Sequence, residues 1–164
     1  MTMDRRTLIG GGGLTLLGGA MAMFGFDRGS EAKAGSFPVT LSDAEWKRRL
    51  SPQAYAVLRK ESTERAGSSP LDKEKRKGIY ACAGCGHPLF SSAAKFESGT
   101  GWPSFFKPAA NGVGTREDKS FFMKRVEVHC RRCGGHLGHV FNDGPRPTGL
   151  RYCMNGAALA FRPA

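Results

Sequence analysis

The five cysteines of this 164-residue chain divide by spacing into two pairs and one single residue. Cys82 and Cys85 form one C-x₂-C pair, Cys130 and Cys133 form a second, and Cys153 stands alone. Two such pairs are the usual pattern of a closed Cys₄ zinc site, in which four thiolates fill the tetrahedral shell of one Zn²⁺. Because no position is left for substrate, the pattern predicts one structural zinc ion per chain.

The residues beside the two pairs support a metal site but leave alternatives open. Glycine follows the second cysteine of each pair, at Gly86 and Gly134, as a tight knuckle requires. The pairs could instead form disulfides, although a two-residue spacing gives a strained and redox-labile bond. His87 and His129 lie beside the knuckles and could replace a cysteine ligand.

Cys153 is then left for other chemistry. An extended chain over residues 150–155 places its apolar side chains on one face and its polar side chains on the other. The polar face would hold Arg151, Cys153 and Asn155. A nearby guanidinium is expected to lower the pKa of the Cys153 thiol below the reference value of about 8.5 and raise the thiolate fraction. This favours a reactive cysteine over the alternative, an inert core cysteine.

Two further segments contain candidate partners for Cys153. Residues 135–141 contain His136 and His139, whose imidazoles exchange protons near neutral pH. Residues 99–106 hold the rings of Trp102 and Phe105 in a turn rich in Gly and Pro. Taken alone, the histidines could be ordinary loop residues and Trp102 an ordinary core residue.

The elements that must position these residues are predicted to be mostly β-strands. Thr40 or Ser42 can cap a helix that runs to about Arg59, and Pro52 is expected to split it into two short helices. The polar stretch from residue 62 to 78 is interpreted as a surface loop or linker. Beyond it, short β-type runs at 78–81, 121–130, 138–141 and 150–154 predict a domain of antiparallel strands.

Residues 1–34 have the features of an export signal. Arg5 and Arg6 resemble the twin-arginine motif, a weakly apolar stretch follows to about Phe26, and residues 32–34 form a small-x-small cleavage site. We therefore predict a signal at 1–34 cleaved after Ala34, a single domain at 35–164 and export by the twin-arginine machinery to the periplasm. No stable membrane association is expected after cleavage. An uncleaved signal that anchors the chain is the alternative.

The charge of the chain permits a second class of function. The net charge is +11, and residues 35–164 alone carry 21 basic and 11 acidic side chains, a net charge of +10. A basic zinc ribbon that binds nucleic acid is compatible with two knuckles and this charge. The basic residues lack a one-sided stripe, and an export signal argues against nucleic acid as a partner. A solvated basic surface is the simpler interpretation.

Taken together, these segments resemble the B-type peptide methionine sulfoxide reductases over residues 41–161. The resemblance rests on both cysteine pairs and on residues 101–105, 136–141 and 151–155. It implies a β-domain of two antiparallel sheets with short N-terminal helices and a structural zinc ion. It also implies reduction of methionine R-sulfoxide, free or in oxidised proteins, with a thioredoxin-like or other thiol as reductant.

The resemblance assigns roles to individual residues. Cys153 matches the nucleophile, which becomes a sulfenic acid during the reaction. His136, His139 and Asn155 match the catalytic histidines and the asparagine of the site. The predicted substrate contacts are Trp102, which packs on the sulfoxide methyl group, Phe105 and Arg151.

Thr100 is the main departure from the family pattern. Many members have a resolving cysteine at this position, and all five cysteines here are already assigned. Recycling must then use an external thiol or, as the less favoured alternative, a labile zinc cysteine. Gly156 also stands where the family often has serine.

Overall fold

Two short helices open the part of the chain that this computed structural model describes, residues 37–119 and 124–164. Helix α1 spans Asp43–Arg49 and helix α2 spans Pro52–Lys60, which confirms the predicted split at the proline. Because proline lacks an N–H group and fixes its φ angle, it suits the first turn of a helix and not the interior.

Serine caps begin both helices. Ser42 rather than Thr40 caps α1, and it forms a reciprocal capping box with Glu45. Ser51 accepts a hydrogen bond from the backbone N–H of Ala54 at the start of α2. These contacts satisfy N–H groups that have no partner within the helix.

The described residues form nine strands in two antiparallel sheets, which confirms the predicted fold class. The three-stranded sheet has the order β2-β1-β9, and the six-stranded sheet has the order β3-β4-β8-β7-β6-β5. The strands are β1 Gly78–Cys82, β2 Pro88–Ser91, β3 Lys95–Phe96, β4 Ser104–Phe105, β5 Val113–Asp118, β6 Arg125–Cys130, β7 His136–Phe141, β8 Arg151–Met154 and β9 Leu159–Pro163.

Four of these strands, β1, β6, β7 and β8, were predicted from the sequence. Residues 121–123, the start of the second predicted strand, lie outside the described residues. The sequence did not predict the other five, of which β3 and β4 have only two residues each and β5 is largely polar. Strands of this kind are defined by pairing with distant segments rather than by a local pattern.

Both helices and both sheets contribute to one hydrophobic core. Trp46 and Leu58 enter it from the helices, and Tyr80 enters it from the three-stranded sheet. Phe105 of β4 stacks on Phe90 of β2 with ring centroids 4.3 Å apart. Burying each large side chain of this kind contributes about 1.5–3 kcal/mol, so the core holds the two sheets together.

The segment from residue 62 to 78 is more ordered than the predicted linker. It contains a one-turn 3₁₀ helix at Pro70–Lys73, and the side chain of Glu64 is buried. The interpretation as a surface loop is therefore wrong for Glu64. A polar composition hid the buried residue, because charged side chains in such a segment are ordinarily solvated.

The predicted signal at 1–34, its cleavage site and the first two residues of the predicted domain lie outside the described residues. Within residues 37–119 and 124–164, no helix has the length and apolar character that crossing a membrane requires.

Candidate active site and metal centre

The four paired cysteines converge on one point although they come from different sheets. Cys82 ends β1 of the three-stranded sheet, and Cys130 ends β6 of the six-stranded sheet. Cys85 and Cys133 lie in the turns that follow. All four Sγ atoms lie within 4.8 Å of one another.

Each knuckle is closed by a backbone hydrogen bond to its first cysteine. The N–H of Gly86 donates to the carbonyl of Cys82 at 2.8 Å, and the N–H of Gly134 donates to that of Cys130 at 2.9 Å. Both glycines have positive φ angles, +72° and +68°, which a residue with a Cβ atom rarely adopts. The glycines that the sequence singled out therefore shape the turns.

The sulfur geometry fits a tetrahedral metal ion. The closest pairs link the two knuckles, with Sγ atoms 3.7 Å apart for Cys82 and Cys133 and 3.6 Å apart for Cys85 and Cys130. Four sulfurs at about 2.3 Å from one Zn²⁺ would be about 3.8 Å apart. Disulfide sulfurs would be about 2.05 Å apart, so this arrangement disfavours the disulfide alternative.

The two histidines beside the knuckles do not belong to the sulfur cluster. His87 Nε2 lies 3.0 Å from the backbone carbonyl oxygen of Asn111, and the ring of His129 packs edge-on against Phe37. The candidate ligands are therefore the four cysteines that the sequence predicted.

Cys153 lies on β8 between two neighbouring strands that present polar side chains to it. Ser104 of β4 and His139 of β7 are its direct cross-strand partners. Side chains directly opposite in antiparallel strands share a face, so Ser104, Cys153 and His139 form a row across the sheet.

A chain of hydroxyl groups leads to the thiol. Thr100 Oγ1 lies 3.9 Å from Cys153 Sγ and 2.8 Å from Ser98 Oγ. Ser98 Oγ in turn lies 2.8 Å from Ser104 Oγ. The sequence analysis did not assign Ser98 or Ser104, because serines near a turn are too common to indicate a site.

The thiol of Cys153 has a raised pKa, which corrects the sequence-based expectation. Burial raises the pKa because it disfavours the thiolate, and hydrogen bonds from Thr100 and Ser104 and the charge of Arg151 lower it by less. Arg151 lowers the pKa of Cys153, as predicted, but by less than burial raises it. Its guanidinium is shared with Asp143, which binds it through two hydrogen bonds of 2.9 and 2.8 Å.

Both histidines bind carboxylates that the sequence analysis missed. His136 Nδ1 lies 2.8 Å from an oxygen of Glu127, and His139 Nε2 lies 2.8 Å from an oxygen of Asp118. The rings have their centroids 5.4 Å apart. Such partners set the orientation and tautomer of an imidazole.

A bulge in β7 brings the two histidines to the same face. Residues three apart on a regular strand point to opposite faces. Here Gly138 pairs with Val128 and His136 pairs with His129, so Leu137 is an extra residue with no partner. Leu137 is fully buried, and His136 joins the face of His139.

Burial and neighbouring charges shift the pKa values of His139 and Glu127. Burial lowers the pKa of His139 although Asp118 acts in the opposite direction, which favours the neutral imidazole at pH 7. Burial acts to raise the pKa of Glu127, but hydrogen bonds from His136 and Arg116 outweigh it and lower that pKa overall. Within the part of the chain that the structure describes, His136 Nε2 is buried and has no hydrogen-bond partner.

The remaining predicted site residues have different surroundings. Trp102 is partly exposed, and its indole N–H donates to the backbone carbonyl of Glu64 at 3.2 Å. Asn155 is buried, and its Nδ2 group donates to the carbonyl of Leu137 at 3.0 Å. Phe105 is fully buried against Tyr80 in the core, so the prediction that it contacts substrate is wrong.

The Phe105 error has a simple cause. In strand β4, Ser104 pairs with Cys153 and therefore faces the site, whereas Phe105 pairs with Tyr152 and faces the core. A turn rich in Gly and Pro gave no indication of which of two adjacent residues would face the thiol.

The glycine at position 156 is explained by its neighbour. A Cβ atom added to Gly156 would lie 1.9 Å from Oγ and 2.3 Å from Cβ of Ser69. Ser69 thus occupies the space that a side chain at position 156 would need.

Comparison with known proteins assigns the chain to a family. A family model described as the SelR domain matches residues 50–163. The chain is 54% identical over 128 residues to a peptide methionine sulfoxide reductase MsrB from Leptospira interrogans, covering 77% of this chain and 98% of the relative. It is 58% identical over 121 residues to one from Methanosarcina mazei, covering 73% and 86%. It is 56% identical over 126 residues to one from Bradyrhizobium diazoefficiens, covering 76% and 91%.

Each of these matches covers about three quarters of this chain and most of the relative. The chain therefore belongs to the SelR domain family of MsrB peptide methionine sulfoxide reductases, as the sequence motifs predicted. Family membership favours a reductase over a nucleic-acid-binding zinc ribbon.

The raised pKa of Cys153 gives a testable pH dependence. Because alkylation by iodoacetamide requires the thiolate, the rate should rise with a midpoint above the value of about 8.5 for a free cysteine. Thr100→Val should move the midpoint higher still, since the Thr100 hydroxyl is the strongest of the groups that lower the pKa. The rate is followed by mass spectrometry of the peptide that contains Cys153.

Thr40→Val is the matched control for this measurement, because Thr40 is exposed and its hydroxyl donates to the nearby carbonyl of Phe37, away from Cys153. It should leave the midpoint unchanged. A wild-type midpoint at or below about 8.5 would contradict the assignment and restore the sequence-based expectation.

Proposed function

We propose that this chain reduces methionine R-sulfoxide in oxidised proteins, and as the free amino acid, with Cys153 as the nucleophile. Methionine sulfoxide reduction, and with it protein repair, is the function of the family to which the chain belongs. The observation that carries the residue assignment is that Cys153, the one cysteine outside the sulfur cluster, lies directly opposite His139 and near two histidine–carboxylate pairs.

The first half-reaction forms a sulfenic acid. Cys153 Sγ attacks the sulfoxide sulfur, the S=O bond breaks and the oxygen ends bonded to Sγ, so that one thiol and one sulfoxide give one sulfenic acid and one methionine. The raised pKa means that the resting thiol carries the proton that the leaving oxygen requires. His139, directly opposite Cys153, and His136, whose ring centroid is 5.4 Å from that of His139, are the groups proposed to pass a proton between the thiol and the oxygen.

The walls of the site account for the choice of substrate. Trp102 packs on the methyl group of the sulfoxide, since sulfur and its methyl groups contact aromatic rings favourably. Arg151 precedes Cys153 by two residues on β8 and Asn155 follows just beyond the end of that strand, so both can complete the proposed site. A methyl group fixed on Trp102 determines which lobe of the sulfur faces the thiol, and this selects one epimer.

The catalytic prediction concerns the nucleophile. Cys153→Ser should lower the rate of R-sulfoxide reduction by roughly 10³-fold or more, because a serine hydroxyl is a far poorer nucleophile than a cysteine thiol at neutral pH. The metal content and thermal unfolding should not change, since Cys153 lies outside the sulfur cluster. The assay measures methionine released from each epimer with a dithiol reductant.

The same assay tests the neighbouring residues. Trp102→Ala should raise KM, and His139→Ala should lower kcat more than it changes KM. Equal wild-type rates on both epimers, or an active Cys153→Ser variant, would sink the catalytic assignment.

We further propose that Cys82, Cys85, Cys130 and Cys133 bind one Zn²⁺ that stabilises the fold. A Cys₄ shell is closed, so when bound the metal contributes stability and no chemistry. Cys82→Ser should therefore lose the metal and lower Tm by about 10 °C or more, as the loss of even ~3 kcal/mol does in a domain of this size.

Metal analysis by atomic emission and thermal unfolding measure these two effects together. Cys153→Ser is the control, because it also removes one thiol but should keep one zinc ion per chain. Folded and active wild-type protein that contains no zinc would rule this proposal out.

Recycling is proposed to use an external thiol of a thioredoxin-like or other reductant. The thiol attacks the sulfenic acid, water leaves and a mixed disulfide forms, which a second thiol reduces to restore Cys153. Thr100 occupies the place of the usual resolving cysteine, with its hydroxyl oxygen 3.9 Å from Cys153 Sγ. A zinc cysteine acting as the resolving thiol is the alternative.

One turnover without reductant should leave Cys153 as a sulfenic acid that a dimedone probe traps for mass spectrometry. Thr100→Cys should instead form a disulfide with Cys153, because the side chain at position 100 already lies beside the thiol. Thr100→Ser is the control and should still give the trapped sulfenic acid. A peptide linking Cys153 to a cluster cysteine, with release of one zinc ion, would favour the alternative.

We also propose that residues 1–34 direct export through the twin-arginine machinery to the periplasm and are removed after Ala34. The support is the adjacent Arg5 and Arg6, the weakly apolar stretch and the small residues at 32 and 34. Export of a folded chain would protect the four thiols from oxidation, because the metal could bind before transport.

The export prediction is tested in a bacterial host by cell fractionation and N-terminal sequencing. The exported protein should begin at Gly35, and the joint substitution of Arg5→Lys and Arg6→Lys should retain the protein in the cytoplasm. Arg28→Lys, outside the pair, should export normally. An exported protein that keeps residues 1–34 would support the anchored form instead.

A further inference from the structure

Glu64 is a buried acidic residue in a largely polar segment. Its side chain is 6% exposed. One carboxyl oxygen accepts the backbone N–H of Gly156 at 2.6 Å, and the other accepts that of Ala157 at 2.8 Å. These two residues begin the one-turn 3₁₀ helix Gly156–Ala158, directly after Asn155.

The main chain of Glu64 contacts two residues of the site. Its carbonyl accepts the indole N–H of Trp102 at 3.2 Å, and its N–H donates to Oδ1 of Asn155 at 2.9 Å. Four hydrogen bonds thus run from a single residue to two chain segments beside Cys153. One is the turn that holds Trp102, and the other is the chain that leaves β8 after Cys153.

The segment around Glu64 adds a further link to the same turn. The N–H of Gly67 donates to the carbonyl of Gly101 at 2.7 Å, immediately before Trp102. A Cβ atom at Gly101 would lie 2.9 Å from the nitrogen of Gly67, so the two backbones are in close contact. The turn is therefore held from outside the sheet, by this segment.

Burying a carboxyl group without an opposite charge is unfavourable unless hydrogen bonds replace its water. In residues 37–119 and 124–164, no Lys or Arg side chain forms an ion pair with Glu64. The two backbone N–H groups that it binds lie next to the site rather than in a distant turn. An uncharged residue would fill this space at less cost if packing were the only requirement.

We propose that Glu64 is a positioning residue for methionine sulfoxide reduction, which holds Trp102 and Asn155 at a fixed distance from Cys153. This inference rests on the roles proposed above for those residues. The carboxyl group anchors the chain after β8, and the backbone of the same residue anchors the indole. Small displacements of groups that contact the reacting atoms reduce rates strongly.

The test uses Glu64→Gln, which keeps the size of the side chain but turns one acceptor into an N–H donor facing a backbone N–H. The value of kcat/KM for the R-sulfoxide should fall about tenfold or more, through both kcat and KM. Alkylation of Cys153 by iodoacetamide should keep its wild-type rate, because Glu64 does not contact the thiol. Glu74→Gln is the matched control, since this acid lies in the same segment and, among the described residues, forms its one ion pair with Arg76.

Nuclear magnetic resonance can detect whether Glu64 positions Trp102, because a general loss of stability would not single out the Trp102 signal. The chain has two tryptophans and therefore two indole N–H signals. In Glu64→Gln the signal of Trp102 should shift and exchange faster with solvent, while that of the core residue Trp46 should stay in place. Trp102→Phe, which removes the indole N–H and keeps an aromatic ring, should also lower kcat/KM and should add little to the effect of Glu64→Gln.

The outcomes separate this inference from the proposed function. No activity in wild type and in Glu74→Gln would refute the function. An active wild type with equal kcat/KM in Glu64→Gln would overturn the positioning role alone. If Glu64→Gln does not fold, wild-type kcat/KM in Trp102→Phe would overturn it instead, because the anchored indole would then be dispensable.

Discussion

The rest of the structure depends on the convergence of four cysteines from two different sheets. Cys82 and Cys85 belong to the end of the three-stranded sheet, and Cys130 and Cys133 belong to the end of the six-stranded sheet. Four thiols packed this closely with ionisable sulfurs would repel one another as thiolates, and a divalent metal is the natural counter-charge. The cluster thus joins the two sheets at the edge of the shared core, to which Cys82, Cys130 and Cys133 also belong.

With the sheets joined, the register of three antiparallel strands builds the reactive row. β8 lies between β4 and β7, so Ser104 and His139 flank Cys153 without any contribution from a flexible loop. Residues held on paired strands keep their separation better than residues on loops, because each backbone position is fixed by hydrogen bonds. The bulge at Leu137 then turns His136 toward the same face and leaves the apolar residue in the core.

A second layer of acids holds this row in place. Glu127 and Asp118 orient the two histidines, and Glu64 orients the indole and amide groups on the other side. The negative charge of each buried or partly buried acid is compensated in a different way. Glu127 and Asp118 pair with arginines as well as with histidines, whereas Glu64 relies on backbone N–H groups. Burial keeps the thiol of Cys153 protonated at rest and His139 neutral, although the hydrogen bonds to each side chain act in the opposite direction.

The sequence by itself determined the features that depend on residue type and local spacing. These were the paired and single cysteines, the helix break at Pro52, the β character beyond residue 78 and the motifs of the family. Only the tertiary structure decided the features that depend on contacts between distant segments. It placed Phe105 in the core and Ser104 at the site, because strand pairing rather than composition decides which face a residue occupies. It reversed the expected direction of the Cys153 pKa, since burial is set by the whole fold whereas the Arg151 charge was visible nearby in the sequence. It also brought Glu64 to Asn155, which lies 91 positions further along the chain, and no local pattern encodes such a contact.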